Sequence, residues 1–232
     1  MFTVQNAKSI INVLKSKKYC YVSEAHLQLQ FAIEGAKLFP DQFEFIPEYP
    51  GYTPYSYNNT QKTKFDLLVL DKKTNERTLI EFKYKTKNET KKGKAISFPG
   101  PLGTTLQLAN DSAHNPNRYD CWKDIYRIER NVRNGFVKNG FFLFVTNEDV
   151  YINKDGSNSV FCKNNDFSMT PGKHLAQTKE VDKNAKESSA GAFRKNHPIT
   201  IQKNYDFVYQ DFQNFSSVSE YNKFWYLLVE IN

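Results

Sequence analysis

The sequence lacks the short motifs that mark several common enzyme classes. It has no GxxxxGK[ST] phosphate-binding loop, no GxGxxG after a strand and no GxSxG nucleophile elbow. These absences argue against nucleotide-driven enzymes and serine hydrolases, and we expect no nucleotide cofactor. The four histidines, His26, His114, His174 and His197, lie far apart and follow no metal-binding or catalytic spacing. We assign them no role.

Cysteines and long apolar runs are also scarce. Cys20, Cys121 and Cys162 cannot all pair within one chain, and none has a CxxC spacing or a histidine at zinc-ligand spacing. We expect buried thiols. No segment approaches the roughly 18 consecutive apolar residues of a membrane span, and the first residues lack the apolar block of a secretory signal. We therefore expect a soluble, cytoplasmic protein with no membrane partner.

The chain does have length, aromatic residues and positive charge. Its 232 residues, 39% hydrophobic and 15% aromatic, can form one sizeable core, so we expect a single domain over residues 1–232. The net charge of +7 favours a polyanion such as DNA or RNA. AT-rich coding explains the same bias, because Lys and Asn are abundant while Arg is scarce. Charge alone leaves both explanations open.

The spacing of apolar residues indicates the order of helices and strands. Helices are predicted at 3–17, 24–39, 104–112 and 119–135, with Ser23 as the N-cap of the second. Strands are predicted at 42–49, 67–70, 78–82, 140–147 and in the apolar segments after residue 198. A strand, a helical crossover and a further buried strand predict an α/β fold with a central mixed β-sheet flanked by helices.

Residues 153–198 contain few large apolar side chains and many Lys, Asn, Ser and Gly residues. This composition predicts a polar surface insertion with limited regular structure. Two roles fit it: a mobile loop that closes over a substrate, or a solvated insertion without a function.

The segment 65–83, FDLLVLDKKTNERTLIEFK, is the most informative part of the chain. Its two apolar runs and the polar segment between them predict a β-hairpin. A connection over 72–77 would set Asp66 opposite Lys83 and make Glu81 a diagonal neighbour of Asp66, about 7–8 Å away between backbones. Two carboxylates and one amine would then share a face. A slip of one residue would break this cluster.

Asp66, followed by Glu81-Phe82-Lys83, resembles the active-site pattern of the PD-(D/E)XK nuclease superfamily. The likeness covers about 20–150, and Phe65 stands where that pattern often has Pro. It implies a restriction-endonuclease-like fold. By this resemblance Asp66, Glu81 and the carbonyl of Phe82 bind Mg²⁺, which Mn²⁺ can replace, and Lys83 assists attack on the phosphate.

Many members of that superfamily carry a further carboxylate on the helix before the hairpin. Glu24 is the matching position, and Gln28 shares its helix face. The resemblance therefore implies that Glu24 is a further metal ligand. A carboxylate in the first helical turn also simply favours the helix macrodipole.

The resemblance implies a Mg²⁺-dependent endodeoxyribonuclease in restriction, phage defence or DNA repair, with DNA as its partner. Cutting both strands usually needs two sites, so we expect a homodimer. Three alternatives stay open. The fold could bind nucleic acid without cutting it. Asp66 and Glu81 could act as acid and base on a glycoside. The hairpin face could be no more than an exposed set of salt bridges.

Several further side chains are candidates for DNA contacts. The basic ones are Lys62, Lys64, Lys85 and Arg127. Arg127 shares a helix face with Asp120 and Asp124, which is also typical of solvated ion pairs. The tyrosines that could stack on bases, or pack in a core instead, are Tyr49, Tyr52, Tyr55 and Tyr57. Gln107, expected on a helix after the hairpin, is a weaker candidate.

Overall fold

The computed structural model describes residues 1–52, 62–90, 92–110, 113–153, 166–181, 197–218 and 220–232. These residues form a six-stranded mixed sheet with α-helices on its faces. The predicted α/β class with a central mixed sheet is confirmed. None of the helices in the described ranges has the length and apolar character to cross a membrane.

Three α-helices occur in these ranges: α1 (Val4–Lys15), α2 (Glu24–Leu38) and α3 (His114–Arg133). The strands are β1 (Phe43–Tyr52), β2 (Lys62–Asp71), β3 (Arg77–Lys85), β4 (Phe98–Pro99), β5 (Thr105–Leu106), β6 (Asn139–Thr146), β7 (Gly172–His174), β8 (Thr178–Lys179), β9 (Ile199–Thr200), β10 (Tyr205–Phe207), β11 (Tyr209–Asn214) and β12 (Lys223–Ile231). Short 3-10 helices lie at Pro101–Gly103 and Asp149–Tyr151.

The main sheet has the strand order β1-β2-β3-β6-β12-β11. β3 and β6 are parallel and joined through α3, while the other neighbours in this sheet are antiparallel. α1 and α2 cover one face, where Phe31 packs edge-on against Phe82. α3 covers the other face, where Trp122 belongs to the same core as Phe142 and Phe144. Most residues of β3 and all residues of β6 are therefore buried, on both sides of the sheet.

The helix starts follow from their caps. Thr3 and Asn6 form a capping box at α1, and the Ser23 side chain accepts the backbone N–H of His26 at α2, as predicted. The helix predicted at 104–112 is wrong. Leu102 and Gly103 both have positive φ, and the Pro-Gly-Pro segment before them favours a turn, so a short hairpin of β4 and β5 forms there instead.

The predicted register of the β2–β3 hairpin is wrong by two residues. Leu67 pairs with Ile80, and continuing that register by one residue places Asp66 opposite Glu81 rather than Lys83. Side chains alternate between faces with a period of two, so a shift of two leaves all three on the face that was predicted.

The register differs because the turn is tighter than we expected. The backbone N–H of Asp71 donates to the carbonyl of Glu76 (2.9 Å), which leaves 72–75 as the turn. The Asp71 carboxylate accepts the N–H groups of Lys73 and Thr74, while Asn75 takes a positive φ of 57°. An aspartate that hydrogen-bonds its own turn and an asparagine in the left-handed region are common turn-forming devices.

The segment 153–198 differs from the surface excursion that we expected. Residues 154–165 and 182–196 lie outside the described ranges, as does Cys162. Between them, Phe167 and Met169 are fully buried in the α3-side core, so the middle of this segment packs against the sheet. Cys20 and Cys121 are buried free thiols, as predicted.

Gly140 allows α3 to approach β6 closely. A Cβ at position 140 would overlap the Ile128 side chain and lie 2.9 Å from the carbonyl oxygen of Leu79. We expect Gly140→Ala to lower the free energy of unfolding by about 1–3 kcal/mol, as overpacking does, in urea denaturation. The same change should cost less in an Ile128→Ala background, because the overlapping methyl group is gone. Equal costs in both backgrounds would contradict this packing.

Candidate active site

The candidate site lies where β2 leaves β3. Their pairing ends at Leu67, so the edge of β3 has backbone groups without a strand partner. Two carboxylates take the place of that partner. Asp66 Oδ2 accepts the N–H of Phe82 (2.7 Å), and Glu24 Oε2 accepts the N–H of Tyr84 (2.9 Å). The open edge thus fixes the position of both acids.

Helix α2 brings Glu24 to this edge. Glu24 is the first residue of the helix, directly after the Ser23 cap, and its carboxylate reaches β3 instead of only facing the helix terminus. One turn later, the Gln28 side chain is buried and donates to the carbonyl oxygen of Asp66. The shared face predicted for Glu24 and Gln28 is present, and both hold the hairpin.

Glu81 and Lys83 project from β3 on the same side as Asp66. Glu81 is 1% exposed. The Lys83 ammonium lies 2.7 Å from Asp124 Oδ2 and 3.6 Å from Glu24 Oε1. It also donates to the Phe82 carbonyl oxygen (3.0 Å), the group that the resemblance implied as a metal ligand.

Helix α3 completes the cluster with Asp124 and Arg127. The Arg127 guanidinium lies 3.2 Å from Glu81 Oε1 and 3.2 Å from Asp124 Oδ1, donates to the Lys64 carbonyl, and stacks over the Phe65 ring. It therefore connects α3 to both strands of the hairpin. The prediction of a solvated ion-pair face is wrong for Asp124 and Arg127, because both are largely buried. The Arg127 guanidinium, which was a candidate for a phosphate contact, instead binds the carboxylates of Glu81 and Asp124.

Asp124 is a site residue that the sequence interpretation missed. It is 2% exposed and lies on the buried stripe of α3 together with Cys121, Ile125 and Ile128. An aspartate at an apolar position of an amphipathic helix was the available signal, because such a residue needs a charged partner. Its partners are Lys83, which comes from β3, and Arg127, which lies one turn further along the same helix.

The cluster brings several charged groups into a largely buried region. Four carboxylates, of Glu24, Asp66, Glu81 and Asp124, surround the Lys83 and Arg127 cations, while Lys85 acts on Glu24 and Lys123 acts on Asp124 by their charges. Removing charged groups from water is costly unless they are paired. A carboxylate of the cluster without a paired cation would therefore favour its protonated form or a bound cation.

The surroundings shift the pKa values of these acids in different directions. Burial raises the pKa of Glu81 well above its usual value, although the charge of Arg127 opposes the shift. Burial likewise raises the pKa of Asp66 against the charge of Lys83. For Asp124, burial also favours the neutral form, but the charges of Lys83 and Arg127 outweigh it and lower the pKa. Burial thus favours the neutral forms of Asp66 and Glu81, whereas Asp124 stays ionised more readily.

Asp66 and Glu81 fit a hard divalent cation. The strand register places them opposite each other, and Glu81 Oε1 is buried without a hydrogen bond, although the Arg127 guanidinium lies 3.2 Å away. Mg²⁺ typically uses one or two carboxylates and keeps several waters, so these two acids would suffice to hold it. Burial also raises the pKa of Glu24, although the charge of Lys83 and the hydrogen bond from the Tyr84 N–H oppose this shift. The contact with Lys83 places Glu24 beside Asp66 and Glu81.

The fuller ligand set of Glu24, Asp66, Glu81 and the Phe82 carbonyl is not assembled. Across the part of the chain that the structure describes, no three His, Cys, Asp or Glu side chains are arranged to hold a metal ion. Glu24 and the Phe82 carbonyl both contact the Lys83 ammonium. Their ligation of a metal stays a prediction that would require this ammonium to move.

The basic candidates for DNA contacts have different surroundings. Lys64 has a side chain that is 69% exposed and lies 3.3 Å from Glu48. Lys85 is half-buried on β3, two residues beyond Lys83. β2 begins at Lys62, whose side chain is outside the described part of the structure. Lys64 is therefore the candidate that is placed openly on the surface.

The aromatic and amide candidates are less informative. The Tyr49 ring lies 6.2 Å from that of Phe136 and packs beside the α3-side core, which agrees with the packing alternative. The side chains of Tyr52, Tyr55 and Tyr57 lie outside the described residues. Gln107 follows β5, is exposed and is not on a helix, contrary to expectation.

Comparison with known proteins gives no family model, no curated protein and no solved structure that matches this chain.

The Arg127 side chain is expected to be essential for stability. Arg127→Met would leave Glu81 and Asp124 in the core with one counter-charge fewer, and losing one partner of a buried pair typically costs about 3–5 kcal/mol. Urea denaturation measures this cost. Glu81→Gln in the Arg127→Met background should recover part of it, because it removes one unpaired charge. A loss below about 1 kcal/mol, as for an exposed ion pair, would contradict the buried arrangement.

Proposed function

We propose that this protein is a Mg²⁺-dependent endonuclease that hydrolyses phosphodiester bonds of DNA, with a restriction-endonuclease-like fold. The observation that carries the proposal is that Asp66 and Glu81 lie opposite each other at the end of the β2–β3 pairing, with the Lys83 ammonium held between Asp124 and Glu24 on the same face. Two acids and one amine at the open edge of a buried strand are suited to a cation and a phosphate group.

The charge of the cluster supports a divalent cation over a neutral substrate. A Mg²⁺ ion would bind in place of protons on Asp66 and Glu81, whose pKa values burial raises. In a glycoside hydrolase, the two acids need separate roles as proton donor and base or nucleophile. Here burial raises the pKa values of both Glu81 and Asp66, so their surroundings do not separate a proton donor from a base.

The proposed reaction is the in-line attack of water on phosphorus, with cleavage of the P–O bond to the leaving oxygen, which takes up a proton. A bound divalent cation supplies Lewis acidity to the phosphate and makes the attacking water more acidic. Asp66 and Glu81 hold that cation. Lys83 contributes a positive charge near the phosphate oxygens, where negative charge develops during attack.

The remaining residues position Lys83 and the acids. Asp124 and Glu24 hold the Lys83 ammonium from two sides, while Gln28 fixes the backbone of Asp66. Arg127 keeps Glu81 and Asp124 in place from α3. A site held by three different elements is rigid enough to orient a reactive group.

We further propose DNA as the substrate and a homodimer as the active form. The net charge of +7 and the exposed Lys64 favour a polyanion but do not distinguish DNA from RNA. DNA is the choice that follows from the nuclease resemblance. A homodimer would place two sites on one duplex, so that both strands are cut.

Plasmid cleavage tests the proposed activity. Wild-type protein should nick or linearise plasmid DNA in Mg²⁺ or Mn²⁺ and leave it intact in chelator. Asp66→Asn, Glu81→Gln and Lys83→Met should each reduce the rate by about 10²-fold or more, because each removes a charge that acts at the phosphate. Glu44→Gln serves as the control, since Glu44 is an exposed carboxylate on β1, and it should retain the wild-type rate.

Two results would contradict the nuclease proposal. Binding of DNA without cleavage in any cation would favour a nucleic-acid-binding module of the same fold. No effect on nucleic acid, together with hydrolysis of a chromogenic glycoside that Glu81→Gln abolishes, would favour the glycoside hydrolase. Thermal unfolding of every variant establishes that a lost activity is not lost folding.

A further inference from the structure

The tip of the β4–β5 hairpin presents a single leucine to solvent. Leu102 is fully exposed, the most exposed large apolar side chain of the described residues. Its φ of 56° and ψ of 28° lie in the left-handed region, which is unfavourable for residues other than glycine. An exposed apolar side chain is common on protein surfaces, but one held in an unfavourable backbone conformation points to a functional constraint.

Hydrogen bonds hold this tip in shape. The Gly100 N–H donates to the Thr104 carbonyl (2.7 Å), and both the N–H (3.1 Å) and the hydroxyl (2.7 Å) of Thr104 donate to the Pro101 carbonyl. The ring of Pro101 fixes its own φ. Leu102 is therefore held outward by a rigid turn, so little entropy would be lost when it inserts into a partner.

A short chain of contacts links this hairpin to the candidate active site. The Cys20 N–H donates to the Pro99 carbonyl (2.8 Å), and Cys20 Sγ contacts the Tyr84 hydroxyl (3.4 Å). The Tyr84 N–H in turn donates to the Glu24 carboxylate. The hairpin is thus fixed relative to Glu24, from the α1 and α2 side of the sheet.

A cleft of about 560 Å³ adjoins Leu102. Its lining includes Lys18, Tyr19, Ser97 and Thr105, and Lys18 is the one charged residue among the described residues that line it. Lys18 is exposed and follows the basic end of α1. A cleft with hydroxyl groups, a lysine and no carboxylate in its described lining suits a phosphate backbone better than an acidic or purely apolar partner.

We propose that Leu102 is a wedge that inserts between stacked bases of DNA bound at the candidate active site, while Lys18 contacts a phosphate beside the inserted side chain. The inference rests on the proposed nuclease function. Insertion of an apolar side chain into a base step unstacks the bases and bends the duplex. Here the wedge would deform the duplex near the strand that Asp66 and Glu81 are proposed to cut.

Fluorescence of 2-aminopurine tests the wedge directly. Short duplexes, each with one 2-aminopurine at a different position, are mixed with the full-length protein in Ca²⁺, which also prefers oxygen ligands. Unstacking raises the fluorescence. With wild-type protein we expect a rise at one or a few adjacent positions, and Leu102→Ala should reduce that rise by about fivefold or more, because its side chain is too short to enter the stack.

Control variants and a separate cleavage assay keep the outcomes distinct. Leu175→Ala alters another exposed leucine and should preserve the fluorescence rise. Leu102→Gly should act like Leu102→Ala and melt at or above the wild-type temperature, because glycine accepts the positive φ. If wild-type protein cleaves plasmid DNA but Leu102→Ala keeps the full fluorescence rise, the wedge is wrong and the nuclease stands.

Two other outcomes also overturn the wedge. If wild-type protein neither binds nor cleaves DNA, the nuclease proposal fails and the wedge fails with it. If wild-type protein binds and cleaves DNA without a fluorescence rise at any position, Leu102 does not enter the base stack, and a protein partner becomes the better explanation of its exposure.

Discussion

The end of the β2–β3 strand pairing next to Asp66 determines how the rest of the site is arranged. An internal strand edge whose N–H groups have no partner is unstable in a folded interior, because each buried group costs free energy comparable to a lost hydrogen bond. Asp66 and Glu24 satisfy the N–H groups of Phe82 and Tyr84 with carboxylate oxygens. The same requirement that completes the sheet therefore brings negative charge to the edge next to Glu81.

Helix α3 then makes this concentration of charge tolerable. Arg127 and Lys83 neutralise part of it, and Asp124 fixes both cations in a region that is otherwise apolar. Burial still raises the pKa values of Asp66 and Glu81 above their usual values, and perturbed pKa values of this kind cluster at functional sites.

Local sequence patterns predicted the parts of the site that depend on the alternation of side chains along a strand and on the capping of a helix. Ser23 and Glu24 begin α2, and the alternation of side chains placed Asp66, Glu81 and Lys83 on one face despite the wrong register. The register itself depends on how Asp71 and Asn75 close the turn. Several turns of similar length fit the same polar segment, so the apolar pattern alone does not select one.

Other features depend on contacts between segments that are distant in the chain. Arg127 looked like a surface residue because its helix carries many charges, and only the packing of α3 on β3 buries it against Glu81. The burial of Phe167 and Met169 within a polar segment follows from the same α3-side core. Gly and Pro residues near Leu102 indicated a turn, whereas the spacing of apolar residues after it favoured a helix. The structure has a hairpin there, because the residues around Leu102 form a turn.

Calorimetric titration with Mn²⁺ at several pH values tests most directly whether Asp66 and Glu81 form the cation site. Mn²⁺ should bind to the wild-type protein with release of protons, and more weakly as the pH falls through the raised pKa of Glu81, because protons and the metal compete for the same oxygens. Asp66→Asn and Glu81→Gln should each abolish this binding. Mn²⁺ binding that is unchanged in both variants, or no binding to wild-type protein at a pH where these carboxylates are ionised, would contradict the account.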